Sequence, residues 1–291
     1  MMNKIAADLQ DHTLPMENSM LIDQKAPNII SRNNVKVLGS QDKTILYAHG
    51  FGCHQGMWDA INPAFASSHQ QVVFDYVGSG SSDLSAFDPQ RYAELAGYAQ
   101  DILEICDALE LTSNVTFVGH SVSCSIGIIA SILRPGLFGK LILVGPNPCF
   151  INHPPDYLGG FEKSDLEDLL ELMDQNYIGW ANYLAPVVSA EQASHSTTLA
   201  LSDSFCSTDP IAMKVFAKAT FFADNRNDLP KVTVPCLILQ HRTDSLAPVS
   251  IGEYMHAKIP ENQLTVLEVQ GHCAHMSAPD LVIDAIRQFI D

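Results

Sequence analysis

The sequence predicts an α/β fold: a mostly parallel central sheet with helices on both faces, interrupted by a helical cap insertion. Three observations carry this expectation. Short apolar runs alternate with longer amphipathic stretches along most of the chain, and one long segment in the second half breaks that rhythm. The length of 291 residues is enough for one large domain with a core of its own, without disulfide support.

Strands are read at 44–48, 72–76, 115–118, 141–144, 235–240 and 264–269, each four to six residues long and rich in Val, Ile or Leu. Runs that are apolar on both faces suit a parallel sheet covered on each side. Between them Leu95, Ala99, Ile102, Cys106 and Leu109 recur at helical spacing, as do Val282, Ile286 and Phe289. Each set makes a stripe that packs on the sheet. From 146 to 229 there is no strand pattern, and the segment reads as several helices. Ser164 and Glu167 match a capping box, and Leu166, Leu169, Leu170 and Met173 share one face of the helix it opens. A helical insertion between two strands commonly forms a lid. The expected organisation is a core of 29–145 and 230–291, a cap of 146–229, and an N-terminal extension of 1–28 read as flexible.

Composition narrows the function. Asp and Glu number 33 against 16 Lys and Arg, a formal charge of −17, so nucleic acid and anionic membrane surfaces are excluded as main partners. Hydrophobic residues are 46% and charged residues 17%, which argues against disorder. The seven cysteines are odd in number and scattered, with no C-x-x-C pair, as expected in a reducing compartment. The first residues lack an apolar signal core, and the apolar stretch around Ile126 is too short to span a bilayer. A cytoplasmic location is therefore expected.

The chemistry starts at Gly119–Ser123, which reads G-H-S-x-S between a strand and a helix. It differs from the G-x-S-x-G nucleophile elbow by Ser123 in place of the second Gly, and Ser is small enough for the tight turn. A Gly-x-Ser at such a turn can also be simple turn chemistry. A serine hydroxyl is inert until a base takes its proton and a carboxylate orients the base. Both are supplied downstream in the order this architecture requires: Asp244 just past one strand, His272 just past the next. Asp244 could otherwise cap the helix starting near Pro248. His275 is a lesser alternative to His272, lying a turn further on. His272, Cys273 and His275 lack a further ligand at metal spacing, so no metal is expected.

The loop after the first strong strand, His49 to Gly52, can present the backbone N–H of Phe51 to an oxyanion, with the N–H of Val122 as the second donor. The segment 75–83 lacks a P-loop lysine and reads as a turn supporting that loop. His49, His120 and His241 read as structural histidines with satisfied hydrogen bonds. Phe51, Phe150, Trp180, Phe205 and Phe221 are the candidate substrate-binding side chains, although most cap aromatics can equally pack the cap's own core.

Beyond these motifs the chain resembles the RsbQ-type α/β-hydrolases of the bacterial general stress pathway, and more distantly the plant karrikin and strigolactone receptors. The matching stretches are SRNNVKV (31–37), FDYVGSG (74–80), YAQD (98–101), VGHSV (118–122), FCSTDP (205–210), KVTVP (231–235) and GHCAHMS (271–277). The resemblance implies an α/β-hydrolase core with a four-helix cap and a Ser121–Asp244–His272 triad under a closed apolar pocket. It implies no cofactor, a small apolar ester or lactone that is cleaved or sensed, and a PAS-domain serine phosphatase or related signalling protein as partner. A metabolic esterase or lactonase without a partner, and a receptor with incidental turnover, are the alternatives. Ala274 departs from the proline usual between the two histidines, and Ser121 at the elbow argues against a haloalkane dehalogenase, which needs an Asp there.

Overall fold

The computed structural model describes residues 28–192 and 195–291. The expected extension therefore lies outside the described residues except for Asn28, whose side chain accepts from Ile30 N–H at the start of α1 (Ile29–Arg32). Seven strands form one sheet: β1 (Lys36–Leu38), β2 (Thr44–Ala48), β3 (Gln70–Val73), β4 (Val115–His120), β5 (Phe138–Val144), β6 (Cys236–Thr243) and β7 (Asn262–Gln270). Their order is β1-β3-β2-β4-β5-β6-β7, and only β1 runs antiparallel to its neighbour. The expected mostly parallel sheet is present.

Each face of the sheet has its own core. Leu46 and Ala48 of β2 join the cluster beneath α2 (Leu95–Ala108) and α3 (Val122–Leu133), while Ile45 and Tyr47 join the cluster on the opposite face. This is the two-residue alternation of a strand buried on both sides, and all five residues of β2 are buried.

The segment expected to be helical carries α4 (Lys163–Gln175), α5 (Tyr177–Ser189), α6 (Ser196–Ser207) and α7 (Pro210–Phe221). Local chemistry sets their ends. Asn176 separates α4 from α5 and its side chain accepts from Gly179 N–H at 2.9 Å. Asp209 caps α7 by accepting from Ile211 and Ala212 N–H, with Pro210 at the first helical position. After the cap come α8 (Val249–Lys258), α9 (Ala274–Ser277) and α10 (Pro279–Ile290).

Two expectations are corrected, and one strand was not expected. The capping box lies two residues earlier than Ser164 and Glu167: α4 starts at Lys163, and the Asp165 carboxylate accepts the N–H of Glu162 at 3.1 Å. Glu167 instead reaches Lys163 at 3.3 Å, a pair three-dimensionally adjacent along the helix. The strand read at 72–76 is shifted to Gln70–Val73, because Asp75 N–H donates to Asn33 O and Tyr76 N–H to His49 Nε2, removing both from the sheet. Strand β1 carries no apolar run signal, since all three of its residues are exposed on the sheet edge.

Candidate active site

The C-terminal ends of β2, β4, β6 and β7 converge on one place. Ser121 follows β4 directly, with φ 57° and ψ −124°, a left-handed conformation that few side-chain-bearing residues adopt. Its N–H donates to Val144 O at 2.8 Å and its carbonyl accepts from Cys124 N–H at 2.9 Å, so the strained turn is held from both sides. The absence of a side chain at Gly119 makes room for the turn: a Cβ there would lie 2.8 Å from the Ser123 carbonyl oxygen.

The Ser121 hydroxyl lies 2.8 Å from His272 Nε2, and His272 Nδ1 lies 2.7 Å from Asp244 Oδ2. Gly271, at φ +86°, turns the chain out of β7, and His272 N–H is fixed by Val188 O of the cap. Asp244 Oδ1 accepts from Leu246 and Ala247 N–H at 2.8 and 3.1 Å. One oxygen therefore orders the loop before α8 and the other faces the imidazole. Burial alone would raise the pKa of Asp244, but the facing His272 and the hydrogen bonds of His241 and His272 outweigh it and hold the carboxyl well below the usual range.

His275 is elsewhere. It is fully buried against Trp58 at 4.8 Å and His120 at 4.3 Å between ring centroids, and neither of its nitrogens has a hydrogen-bond partner among the described residues. Of the three histidines expected to be satisfied, only His49 is: its Nδ1 faces Gly50 O at 2.8 Å and its Nε2 accepts from Tyr76 N–H. His120 Nε2 reaches His272 O at 2.9 Å and His241 Nδ1 reaches Gly271 O at 3.0 Å, but the other nitrogen of each is unpartnered.

The loop 49–52 passes beside Ser121. The N–H groups of Phe51 and Val122 make no backbone hydrogen bond within the turns that carry them. Two serines hold the loop. Ser123 donates to His49 O, and Ser204 of α6 donates to Gly52 O at 2.7 Å. The Asp75 turn supports it from below through Gln55 N–H at 2.8 Å.

Above Ser121 is a partly enclosed, mainly apolar cavity of about 250 Å³. Phe51, Phe150, Phe205 and Phe221 line it, together with Ser121 and His272. Trp180 does not line it: its ring is fully buried behind Phe51 and Phe205, at 6.0 and 5.7 Å between centroids. The sequence reading missed much of the cap wall, namely Tyr183, Leu184, Val187 and Val188 of α5, Leu201 of α6 and Thr220 of α7. Their helical spacing along α5 was a usable signal. Cys53 and Cys273 also line the cavity, and burial pushes the first up to about 12 and the second well above the ordinary thiol value, which disfavours the thiolate form of both.

Two clusters have metal-like donor spacing among the described residues. His241, Asp244 and His272 are the groups just described, and in Cys149, His153 and Asp224 the carboxylate is already held by Arg226. The trio His272, Cys273 and His275 does not converge.

Sheet order, strained elbow and serine–histidine–aspartate alignment define the class of α/β-hydrolase. The chain belongs to the alpha/beta hydrolase family, whose model matches residues 45–285. It is 38% identical over 260 residues to Karrikin insensitive 2 receptor CA of Petunia hybrida, covering 89% of this chain and 95% of the relative. It is also 38% identical to Strigolactone esterase D14 of Arabidopsis thaliana, covering 90% and 97%. A solved hydrolase from Oleispira antarctica is 49% identical and superposes with a TM-score of 0.87 over 90% of this chain and 96% of that one. No helix of the described residues is long and apolar enough to cross a membrane.

Proposed function

We propose that this protein is a serine hydrolase of small apolar esters or lactones whose turnover or ligand binding serves signalling. The observation that carries the reading is the Ser121–His272–Asp244 alignment at the floor of a partly enclosed, mainly apolar cavity. Ser121 Oγ attacks the carbonyl carbon while His272 Nε2 takes its proton, and Asp244 stabilises the imidazolium and fixes its orientation. The N–H groups of Phe51 and Val122 receive the oxyanion; one such donor typically contributes about 2.7–4 kcal/mol to lowering the barrier. His272 then returns the proton to the leaving oxygen. Water, deprotonated by the same histidine, hydrolyses the acyl-enzyme.

Labelling by a fluorophosphonate probe tests the nucleophile. Wild type is expected to label and Ser121→Ala not to; equal labelling would overturn the assignment. The apolar lining supports an apolar ligand, and relatives named as receptors and esterases support a ligand-responsive role. The stress-signalling partner, a PAS-domain serine phosphatase or similar protein, is supported by the sequence resemblance. A pull-down with wild type and Ser121→Ala addresses it. Recovery of such a protein supports the signalling role, and recovery of none favours a metabolic esterase.

A further inference from the structure

We propose that His241 is a positioning residue of the triad: a single N–H, on its Nδ1, holds the turn that carries His272 and faces the Asp244 carboxylate, and so keeps the base aligned between acid and nucleophile. This rests on the hydrolase reading above and deepens it by a fourth side chain.

His241 lies on β6, three residues before Asp244, and is fully buried. Its Nδ1 lies 3.0 Å from Gly271 O. A carbonyl oxygen can only accept, so Nδ1 carries a proton whether the ring is neutral or charged. The same nitrogen lies 3.4 Å from Asp244 Oδ2, the oxygen that meets His272 Nδ1 at 2.7 Å. Asp244 Oδ1 is already taken by Leu246 and Ala247 N–H. One N–H therefore serves two acceptors, a peptide oxygen and a carboxylate oxygen. Burial raises the Asp244 carboxyl, and this N–H is among the groups that bring it down.

The pairing of β6 with β7 explains why a side chain is needed there. His241 pairs with Leu267 and Thr243 with Gln270, so two steps along β6 match three along β7. An extra residue in one strand disrupts the ladder and re-aims the side chains beyond it, here just before His272. Gly271, at φ +86°, is held from β6 on both sides: its N–H donates to Thr243 O at 2.8 Å and its carbonyl accepts from His241. Positions 241 and 244 thus hold the peptide before His272 and the ring of His272 itself. The two imidazoles share one floor, since a Cβ on Gly145 would lie 3.2 Å from His272 Cε1 and 3.4 Å from His241 Cε1. Leucine at 241 leaves both oxygens without this donor, and turning the Gly271–His272 peptide or the carboxylate to relieve them moves the imidazole.

The test uses the full chain with His241→Leu, which removes the donor, and His241→Asn, whose amide nitrogen branches from Cγ as Nδ1 does. With p-nitrophenyl butanoate, His241→Leu should lower kcat about ten- to a hundredfold, the cost of roughly 1 Å of misplacement. Its KM should stay within about twofold, because the placement acts on proton transfer and not on ester binding. His241→Asn should keep kcat within about threefold of wild type, since one donor replaces another. Equal kcat in the two variants, or a raised KM at unchanged kcat in His241→Leu, overturns the role. Crystal structures of wild type and both variants read the placement without turnover. The Ser121–His272 or the His272–Asp244 separation should lengthen in His241→Leu and in neither case in His241→Asn. Both separations unchanged in His241→Leu overturn the role of His241, whether or not esters are hydrolysed. A lengthened separation in a protein without Ser121-dependent hydrolysis overturns the hydrolase reading and keeps the role of His241. Should His241→Leu fail to fold, His241→Ala takes its place in both measurements with the same outcomes.

Discussion

Ser123 Oγ donates to the backbone carbonyl of His49, joining the turn that presents Ser121 to the loop that carries Phe51 N–H. The same hydroxyl accepts from Tyr76 OH at 2.9 Å. Ser121 and the loop 49–52 are thus set relative to each other by a side chain at the position where the elbow motif more often has glycine. The substitution is a brace.

Ser123→Gly restores the commoner motif yet is expected to harm this protein. It leaves His49 O and Tyr76 OH without partners, and Tyr76 is fully buried. Unfolding in urea should show a loss of about 1–3 kcal/mol. Initial-rate kinetics should show kcat lowered up to about tenfold with KM little changed, because the donors act on the transition state more than on the bound ester. An unchanged kcat with reduced stability would confine Ser123 to a structural role.

Gly52 connects the same loop to the cap. It has φ +71°, and a Cβ would lie 2.4 Å from the Phe205 ring, while Ser204 holds its carbonyl. Gly52→Ala therefore combines left-handed strain of about 1–2 kcal/mol with a collision that pushes α6 off the loop. Gly136, at φ +88° with open space around it, supplies the control. Gly136→Ala should lose only the strain in thermal unfolding, whereas Gly52→Ala should lose more stability and at least tenfold in kcat/KM. Equal effects of the two would mean that the cap does not register on the loop.

The parts of this site legible in the sequence are those fixed by strand ends. Ser121 and Asp244 follow apolar runs that read as buried parallel strands, and His272 follows the partly exposed edge strand β7, so their convergence follows from the parallel topology. Ser123 to His49 is a contact across 74 residues between the first turn of α3 and a loop, and nothing local announces it. Trp180 shows the opposite failure. A large aromatic in a cap suggests a wall, but which face of α5 meets the cavity depends on how the helix is rotated, and Tyr183, Leu184, Val187 and Val188 take that place. The shift of β3 has the same origin, a side-chain acceptor on His49 that competes with the sheet for backbone N–H groups.

Against the opposing effect of burial, the facing His272 and the hydrogen bonds of His241 and His272 hold the Asp244 carboxyl well below the ordinary carboxylate value. It therefore supplies no limb to the pH–rate profile. With one base to deprotonate, log kcat/KM should rise on the acid side with slope one. A slope of two would mean that a second group must also lose a proton. Asp244→Asn keeps the shape but reverses the hydrogen-bonding preference toward His272 Nδ1, and kcat should fall by about 10⁴-fold, as when this acid is neutralised in other triads.

Three other buried histidines make the fold itself sensitive to acid. Burial lowers His49 to about 4 even though Asp75 opposes it. His120 and His275 are lowered well below the ordinary value by burial and by neighbouring histidines. In the unfolded chain each takes up a proton near pH 6.5. The unfolded state then binds more protons, so this contribution is complete above about pH 6.5 and is lost as pH falls below it. Near pH 5 each histidine contributes a slope of about 1.4 kcal/mol per pH unit, together about 4. His275→Leu removes one of the three and breaks no hydrogen bond, because neither ring nitrogen has a partner. Its stability relative to wild type should improve steadily in urea titrations from pH 7 to pH 5. Its kcat at neutral pH should stay within about threefold of wild type, against a loss on the order of 10⁴–10⁶ for His272→Ala. A collapse of activity in His275→Leu would instead return the base role to His275, against the 2.8 Å contact of Ser121 with His272.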